Sequence, residues 1–321
     1  MKPRVSVCLT TYNHEEYVAQ AVESVLAQRA PFEYELIIGE DDSRDRTREI
    51  VKGYANDPRV RLLLNDRSNV IYVNGRPTGR WNFVNTLRHA RGTYIALLEG
   101  DDYWTDPQKL RKQVTFLDAH PDCTISFHAV EYRYDSGHWE VKRPPFPPSA
   151  LHYTLDELLR ENFIPTCSVV FHNRLDYDFP EWYFRLPMGD WPLHLLNARH
   201  GAIGYLDKVM AVYRKHEKGT WSLKGALYQL EADLAVLEAV RGELSPEHTE
   251  AVEESAARFH LKSLRLFARQ RKVREFFVRA ASLLFRAPVP LGTLVRSALQ
   301  ALARRTNARR PRDGPREEDK G

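Results

Sequence analysis

Three carboxylates fall within four residues where an apolar run ends: Glu99, Asp101 and Asp102 follow Tyr94-Ile95-Ala96-Leu97-Leu98. The run reads as a buried strand. Carboxylates crowded at the carboxyl end of a strand repel one another unless a cation or a hydrogen-bonded polar ligand sits among them. Gly100 lets the backbone turn closely there. Open α/β sheets bind ligands outside the carboxyl ends of their strands, so the stretch reads as a site. The competing reading is an acidic loop that caps the next helix, because Asp106-Pro107 fits an N-cap followed by N1. A second acidic group, Glu40-Asp41-Asp42, follows another strand-like run at 35–39. In a parallel sheet both groups lie on one edge.

The elements that position these groups follow from periodicity. Residues 5–9 alternate and form a first strand, ending at Thr10-Thr11-Tyr12-Asn13. Asn13 with Glu16 resembles a capping box, and Tyr17, Val18, Ala21, Val22, Val25 and Leu26 share one helical face. A strand at 35–39, a helix through Ile50 and Val51, and a strand at 60–64 continue a β-α-β-α-β alternation, which argues a parallel sheet with right-handed crossovers. Residues 65–81 read as a long loop on the ligand side. A helix at 82–91 leads into the acidic strand, and a helix at 107–120 follows it. Strands are expected at 124–130, 167–171, 203–206 and 209–213. A Pro-rich connector lies at 144–149, a capping box at Thr154/Glu157, and a helix at 192–199 after Gly189-Asp190-Trp191. From about 222 onward the pattern is helical.

Composition places the chain among soluble globular proteins, with 43% hydrophobic and 28% charged residues in 321. Cys8, Cys123 and Cys167 are scattered within apolar runs, without a disulfide framework, so a reducing cytoplasm is expected. No secretory signal is visible, and nothing approaches 18 consecutive apolar residues. Charge is uneven: residues 262–312 hold 14 Lys/Arg against one Glu, which leaves the preceding body acidic. Val273, Phe276, Phe277, Ala280, Leu283 and Leu284 make one apolar stripe there, and Leu294, Val295, Ala298, Leu299 and Leu302 another. Such basic amphipathic helices suit peripheral contact with an anionic bilayer, or docking on the body or another subunit. Nucleic acid fits less well, since the aromatics sit on the apolar stripes and offer no stacking platform. The segment 306–321 reads as disordered.

Dinucleotide and P-loop fingerprints are absent, as are H-E-x-x-H, C-x-x-C and G-x-S-x-G. The runs VSVCLTTYN, EEYVAQAVESVLAQ, ELIIGEDDSRDRT and RGTYIALLEGDDYWTDPQKL together resemble the nucleotide-sugar-binding half of glycosyltransferase family 2, over about residues 4–120. The second half matches more loosely, at Gly189-Asp190 and 213–222. The resemblance implies a GT-A fold, a Rossmann-like, mostly parallel α/β sheet flanked by helices, here with a helical C-terminal appendage. It divides the chain into a catalytic domain at 1–222, with donor half 1–120 and acceptor half 121–222, and an appendage at 223–305.

The resemblance also implies roles. Thr10, Thr11 and Tyr12 frame the base, with Tyr12 stacking on it, and Asp41 accepts from the imide N–H of a uracil or similar base. Asp42 and Asp101 belong to the donor-binding set, with Arg214 or Lys215 on the diphosphate. Glu99, Asp101 and Asp102 fall on the DXD region, which holds a Mg²⁺ or Mn²⁺ ion bridging the diphosphate of a nucleoside-diphosphate sugar. His216 completes the metal shell or contacts the diphosphate; otherwise it is a solvated loop histidine. Asp190 matches the general base, although its position also fits a helix N-cap. Glu99 replaces the usual first Asp, and Asp42 stands where Gly is common. The expected reaction is single, inverting transfer to a hydroxyl of a glycan or lipid-linked acceptor in polysaccharide synthesis, since Q-x-x-R-W and multiple membrane helices are missing. Two other classes stay open: a sugar-phosphate nucleotidyltransferase, which would carry a Gly-rich loop in place of TTYNHEEY, and a non-catalytic nucleotide-binding relative.

Overall fold

The computed structural model describes residues 2–174, 179–217, 219, 224–270 and 272–286. The first unit comprises described residues up to 224 together with 235–252; the second comprises 225–234 and 253–286. In chain order the first unit runs β1 (Val5–Thr11), α1 (Val18–Leu26), β2 (Tyr34–Glu40), α2 (Thr47–Lys52), β3 (Val60–Leu64), β4 (Ile71–Val73), β5 (Arg76–Thr78), α3 (Arg80–Arg88), β6 (Tyr94–Glu99), β7 (Tyr103–Trp104) and α4 (Lys109–Ala119). It continues through β8 (Cys123–Tyr134), β9 (Trp139–Lys142), α5 (Leu155–Arg160), β10 (Val170–His172), α6 (Asp190–Ala198) and β11 (Ala202–Lys215). Three further helices follow, α7 (Ala226–Val240), α8 (Thr249–Gln270) and α9 (Val273–Arg286).

Among the described residues one sheet has the order β3-β2-β1-β6-β10-β8-β11-β7, with β9 paired to β8. The first four strands are parallel, which brings Thr11 level with Glu40 and Thr10 level with Glu99. Both acidic groups therefore leave the same edge. Strand β10 is antiparallel to β6 and β8, and β11 runs parallel to β8. The central strands read as near-continuous apolar runs because helices cover both faces. Val7, Leu9, Leu36, Ile38, Ala96 and Leu98 are buried with Val18, Val22 and Val25 of α1 and Leu110 and Val114 of α4. Thr154 and Glu157 form the expected capping box on α5.

Several sequence expectations change. Asn13 and Glu16 do not form a capping box: α1 begins at Val18 without a side-chain cap, and Asn13 turns left-handed (φ 55°) so that its Oδ1 accepts from the Arg44 N–H. The 65–81 loop contains the hairpin β4–β5, closed by Asn74-Gly75 with φ of 51° and 72°. Two consecutive positive-φ residues make the tight turn whose twist matches paired strands. The strand expected at 167–171 is a 3₁₀ turn at Thr166–Ser168 followed by β10. The two strands expected at 203–206 and 209–213 are one strand, β11, whose register slips on either side of Val209.

Within the second unit, Phe276 and Ala280 of the first expected stripe pack with Leu261 on Leu264, while Phe277 stays exposed. The stripe at 294–302, the segment 306–321 and the polar residues 220–222 lie outside the described residues. Among the described residues no helix is long and apolar enough to cross a membrane.

Candidate active site

Two neighbouring turns at the carboxyl edge are knitted together by local hydrogen bonds. The backbone N–H groups of Asn13, His14 and Glu15 donate to Ser43 Oγ (2.9 Å), Thr47 Oγ1 (2.7 Å) and Asp45 Oδ2 (3.1 Å). Asp42 has φ 59°, a left-handed conformation in which glycine is easiest. Its half-exposed carboxylate lies 3.4 Å from Arg48 Nη1. Asp41 is buried and accepts from Arg67 Nη1 at 2.9 Å. The Arg67 guanidinium in turn stacks over Tyr12, 4.2 Å from the ring centroid. Burial pushes the Asp41 carboxyl up to about 6, with Glu40 and Asp42 adding to the shift against the pull of Arg67.

The turn after β6 is held from the neighbouring strand. Gly100 N–H donates to the Thr10 carbonyl at 2.9 Å, and Asp41 N–H to the Thr11 carbonyl at 3.1 Å. A Cβ on Gly100 would lie 2.5 Å from Thr11 Oγ1 and 2.9 Å from His14 Nδ1. Glycine is required at this crossing, and it lets the following carboxylates converge.

Glu99, Asp101 and Asp102 each bring an oxygen within 4.8 Å of the other two. Asp102 Oδ1 accepts from the Arg214 N–H at 2.8 Å, whereas its Oδ2 is buried without a partner. Asp101 Oδ2 lies 3.1 Å from His216 Nε2 and 3.7 Å from His14 Nε2. Burial opposes ionisation of Asp101, but the two imidazoles outweigh it and hold its carboxyl below the ordinary range. Burial, then Asp101 and Asp190, push Glu99 up to about 8; burial, then Asp101 and Glu99, push Asp102 well up. Three crowded carboxyls, one with an orphaned oxygen, are an unfavourable group alone and an oxygen-rich ligand set for a hard cation such as Mg²⁺ or Mn²⁺. The residues therefore fit a divalent ion. Arg214 crosses over the Tyr17 and Tyr103 rings (4.9 and 4.5 Å) and donates to the Asp101 carbonyl and Gln20. Lys215 lies over Tyr132 and Tyr213, 4.7 and 4.6 Å from their centroids.

Asp190 is the first residue of α6, and the cap position belongs to Gly189. Its carboxylate accepts from Asn162 Nδ2 at 3.1 Å. Its charge is among those that raise Glu99, so the two carboxyls lie within electrostatic reach of each other. The turn before it is fixed by Arg80, which donates to the Leu186 carbonyl at 2.9 Å, and by Tyr183, whose hydroxyl donates to the Gly189 carbonyl at 2.9 Å. Arg80 also stacks on Tyr183 at 4.8 Å and occupies the space that a side chain at 189 would need.

The structure thus gathers Thr10, Thr11, Tyr12, Asp41, Glu99, Asp101, Asp102, Arg214 and His216 at one edge, and turns Asp42 toward Arg48. Sequence reading missed His14, Arg67, Arg80, Asn162 and Tyr183. His14 stood in the turn after the first strand and Arg67 in the ligand-side loop, so their locations were available. Arg80 and Asn162 are distant in sequence from the Asp190 turn, and Tyr183, seven residues before Asp190, reaches back to it by a contact that no local pattern signals.

The family model described as "Glycosyl transferase family 2" matches residues 6–176. The chain belongs to this family. Among relatives, this family-2 chain is 41% identical over 222 residues to the uncharacterized protein Rv1520 of Mycobacterium tuberculosis, covering 68% of the chain and 60% of the relative. The chain thus spans under two thirds of that relative's length. Staphylococcus aureus TarS 1–349, solved with UDP-GlcNAc, superposes with a TM-score of 0.61 at 20% identity, over 95% of this chain and 83% of that one. The mannosyltransferase PcManGT of Pyrobaculum calidifontis, solved with GDP-Man and Mn²⁺, gives 0.56 at 17% identity, over 96% and 83%. These neighbours share the GT-A architecture.

Proposed function

We propose that the protein is an inverting, divalent-metal-dependent glycosyltransferase that moves one sugar per encounter from a nucleoside-diphosphate sugar, preferentially a UDP sugar, to a hydroxyl of a glycan or lipid-linked acceptor. The observation that carries this reading is the Glu99/Asp101/Asp102 group with its orphaned Asp102 oxygen, electrostatically coupled to Asp190. The nucleotide-sugar and Mn²⁺ complexes of TarS and PcManGT support it by fold. Two relatives support the acceptor class and a place in polysaccharide synthesis by their names: a putative teichuronic acid biosynthesis glycosyltransferase of Bacillus subtilis, 29% identical over 215 residues, and a UDP-Glc:alpha-D-GlcNAc-diphosphoundecaprenol beta-1,3-glucosyltransferase of Escherichia coli, 35% identical over 114.

In this reading Tyr12 and Asp41 seat the base, and Thr10 and Thr11 shape the wall beside it. Asp42 contributes its backbone turn. Glu99, Asp101, Asp102 and His216 would hold the divalent ion, whose positive charge would offset that of the departing diphosphate. Arg214 and Lys215 add fixed positive charge beside the same group. Asp190 accepts the proton of the acceptor hydroxyl as that oxygen bonds to the anomeric carbon. The bond from that carbon to the diphosphate oxygen breaks on the opposite face, so configuration inverts. Asn162 and the Arg80–Tyr183 pair hold the base in place.

The C-terminal appendage follows the catalytic domain as a basic segment for peripheral contact at the inner face of a membrane. Deletion of residues 262–321 should then abolish binding to anionic liposomes; unchanged binding refutes that contact. For the function itself, a thermal-shift panel of nucleoside diphosphates and nucleotide sugars with and without Mn²⁺ is the direct test, because a ligand that binds only the folded state raises its melting temperature. A UDP sugar should stabilise the protein in the presence of Mn²⁺ and lose that effect with EDTA. Failure of every nucleotide sugar to bind overturns the reading.

A further inference from the structure

A second group of metal-binding side chains meets where α4 ends and β8 begins. Asp122, Cys123 and His152 each bring one ligand atom within 4.8 Å of the other two. Cys123 is buried, and His152 Nε2 is shut off from solvent with no hydrogen-bond partner. An unsatisfied buried polar group of that kind is destabilising until a partner meets it. His120 stands beside it, with its ring perpendicular to that of His152 and the centroids 5.1 Å apart. His120 Nδ1 lies 2.8 Å from the Phe116 carbonyl, which only accepts, so the proton is on Nδ1 and the lone pair on Nε2. One imidazole nitrogen held by a carbonyl while the other stays available is how metal-bound histidines are oriented.

This group is far from the transfer chemistry in topology. Cys123 opens β8, which runs parallel to β11 and, through β10, parallel to β6. Residues that start β8 therefore lie at the amino edge of the sheet, opposite the edge where Glu99 and Lys215 end their strands.

We propose that Asp122, Cys123 and His152 form a structural Zn²⁺ site, with His120, whose ring adjoins His152 but whose nitrogens lie outside that mutual 4.8 Å, closing in as the fourth ligand. One thiolate, two imidazoles and one carboxylate make the borderline-soft donor set that zinc takes in tetrahedral sites, whereas Mg²⁺ and Mn²⁺ prefer oxygen. Tetrahedral zinc ligands stand roughly 3.3–3.8 Å apart, so the three named atoms need close by only about 1 Å. On binding, the sulfur–zinc bond forms and the thiol proton leaves to solvent. Burial, reinforced by Asp122, raises the Cys123 thiol to about 12, so without a metal it stays a neutral core side chain. With zinc the site ties His152, which follows the Pro-rich connector, to the start of β8. The adjacent Tyr153 already bridges to Ile203 of β11.

The test uses the full chain, loaded with Zn²⁺ and passed through a desalting column, with bound zinc measured by elemental analysis. Wild type and Asp102→Asn should each retain one equivalent. Cys123→Ser and His152→Ala should bind more weakly by more than the roughly 10–100-fold that loss of an outer partner costs. Co²⁺ in place of zinc should give wild type a near-ultraviolet thiolate charge-transfer band that Cys123→Ser lacks. Because Cys123 is buried, its variant can fail to fold; Asp122→Asn, at an exposed position, then decides, by weakening zinc while leaving the circular dichroism of the metal-free protein unchanged. Wild type without stoichiometric zinc, or without the cobalt–thiolate band, overturns the proposal. Zinc lost from Asp102→Asn but kept by Cys123→Ser also overturns it, since the ion would then sit on the carboxylates of the other edge.

Discussion

Asp41→Asn should move stability and donor affinity in opposite directions. Asp41 is 4% exposed, and its carboxyl is raised from 3.8 to about 6 by burial and by Glu40 and Asp42, net of the Arg67 ion pair. A carboxyl whose pKa is higher folded than unfolded destabilises the native state once it must ionise. The penalty is absent well below the unfolded value, grows as pH rises through the window from about 4 to 6, and is constant above it. The shift of about two units corresponds to a penalty of roughly 3 kcal/mol at about pH 8, and integrating over the same window leaves roughly 1.5 kcal/mol at about pH 5. Asparagine keeps the shape and removes the charge, so the metal-free and donor-free variant should gain up to those amounts, less what Arg67 loses as its partner becomes neutral. For a domain of this size each kcal/mol is worth about 2–4 °C in melting temperature. Thermal and urea unfolding in EDTA at the two pH values should therefore show stabilisation that is larger at the higher pH. Calorimetric titration with UDP and Mn²⁺ should show weaker binding, since a charge-assisted acceptor for the base N–H is gone, a loss of roughly 1.5–3 kcal/mol. Equal stability changes at both pH values would refute the burial argument. Unchanged UDP affinity would refute the placement of the base against Asp41.

Asp190→Asn should lower kcat by about 10²–10⁴, the range of a positioned general base, while donor affinity by calorimetry stays at the wild-type value; full turnover removes Asp190 from the chemistry. Asp102→Asn should abolish the Mn²⁺-dependent rise in melting temperature and with it transfer, and a retained Mn²⁺ shift would show that the ion binds elsewhere. Gly100→Ala should lose roughly 1–3 kcal/mol, because its Cβ meets Thr11 and His14, and should also weaken Mn²⁺, read by denaturation and metal titration. Arg80→Met should lower kcat with little change in donor Kd, since it frees the turn before Asp190 without touching the donor side; a change in Kd alone would contradict that role.

The strand-helix alternation and the apolar run into Glu99-Gly100-Asp101-Asp102 are local patterns, and the parallel sheet with acidic groups at its carboxyl edge was legible from them. Asn74-Gly75 carried a hairpin-turn signal that the reading of 65–81 as one long loop passed over, since two positive-φ residues in succession suit few other conformations. Tertiary structure decided the rest. Asn13 could have capped a helix, but the Arg44 N–H reached it first, and the helix start moved to Val18. Whether Asp190 is a cap or a base depends on which charges face it, and only the folded chain sets Glu99 and Asn162 around it. Periodicity reports the face on which a residue lies; it carries no information on partners more than a few turns away. The orphaned Asp102 oxygen, the Arg67 stack on Tyr12 and the meeting of Cys123 with His152 therefore had no signature in the sequence, because each is a contact between segments that local propensity treats as independent.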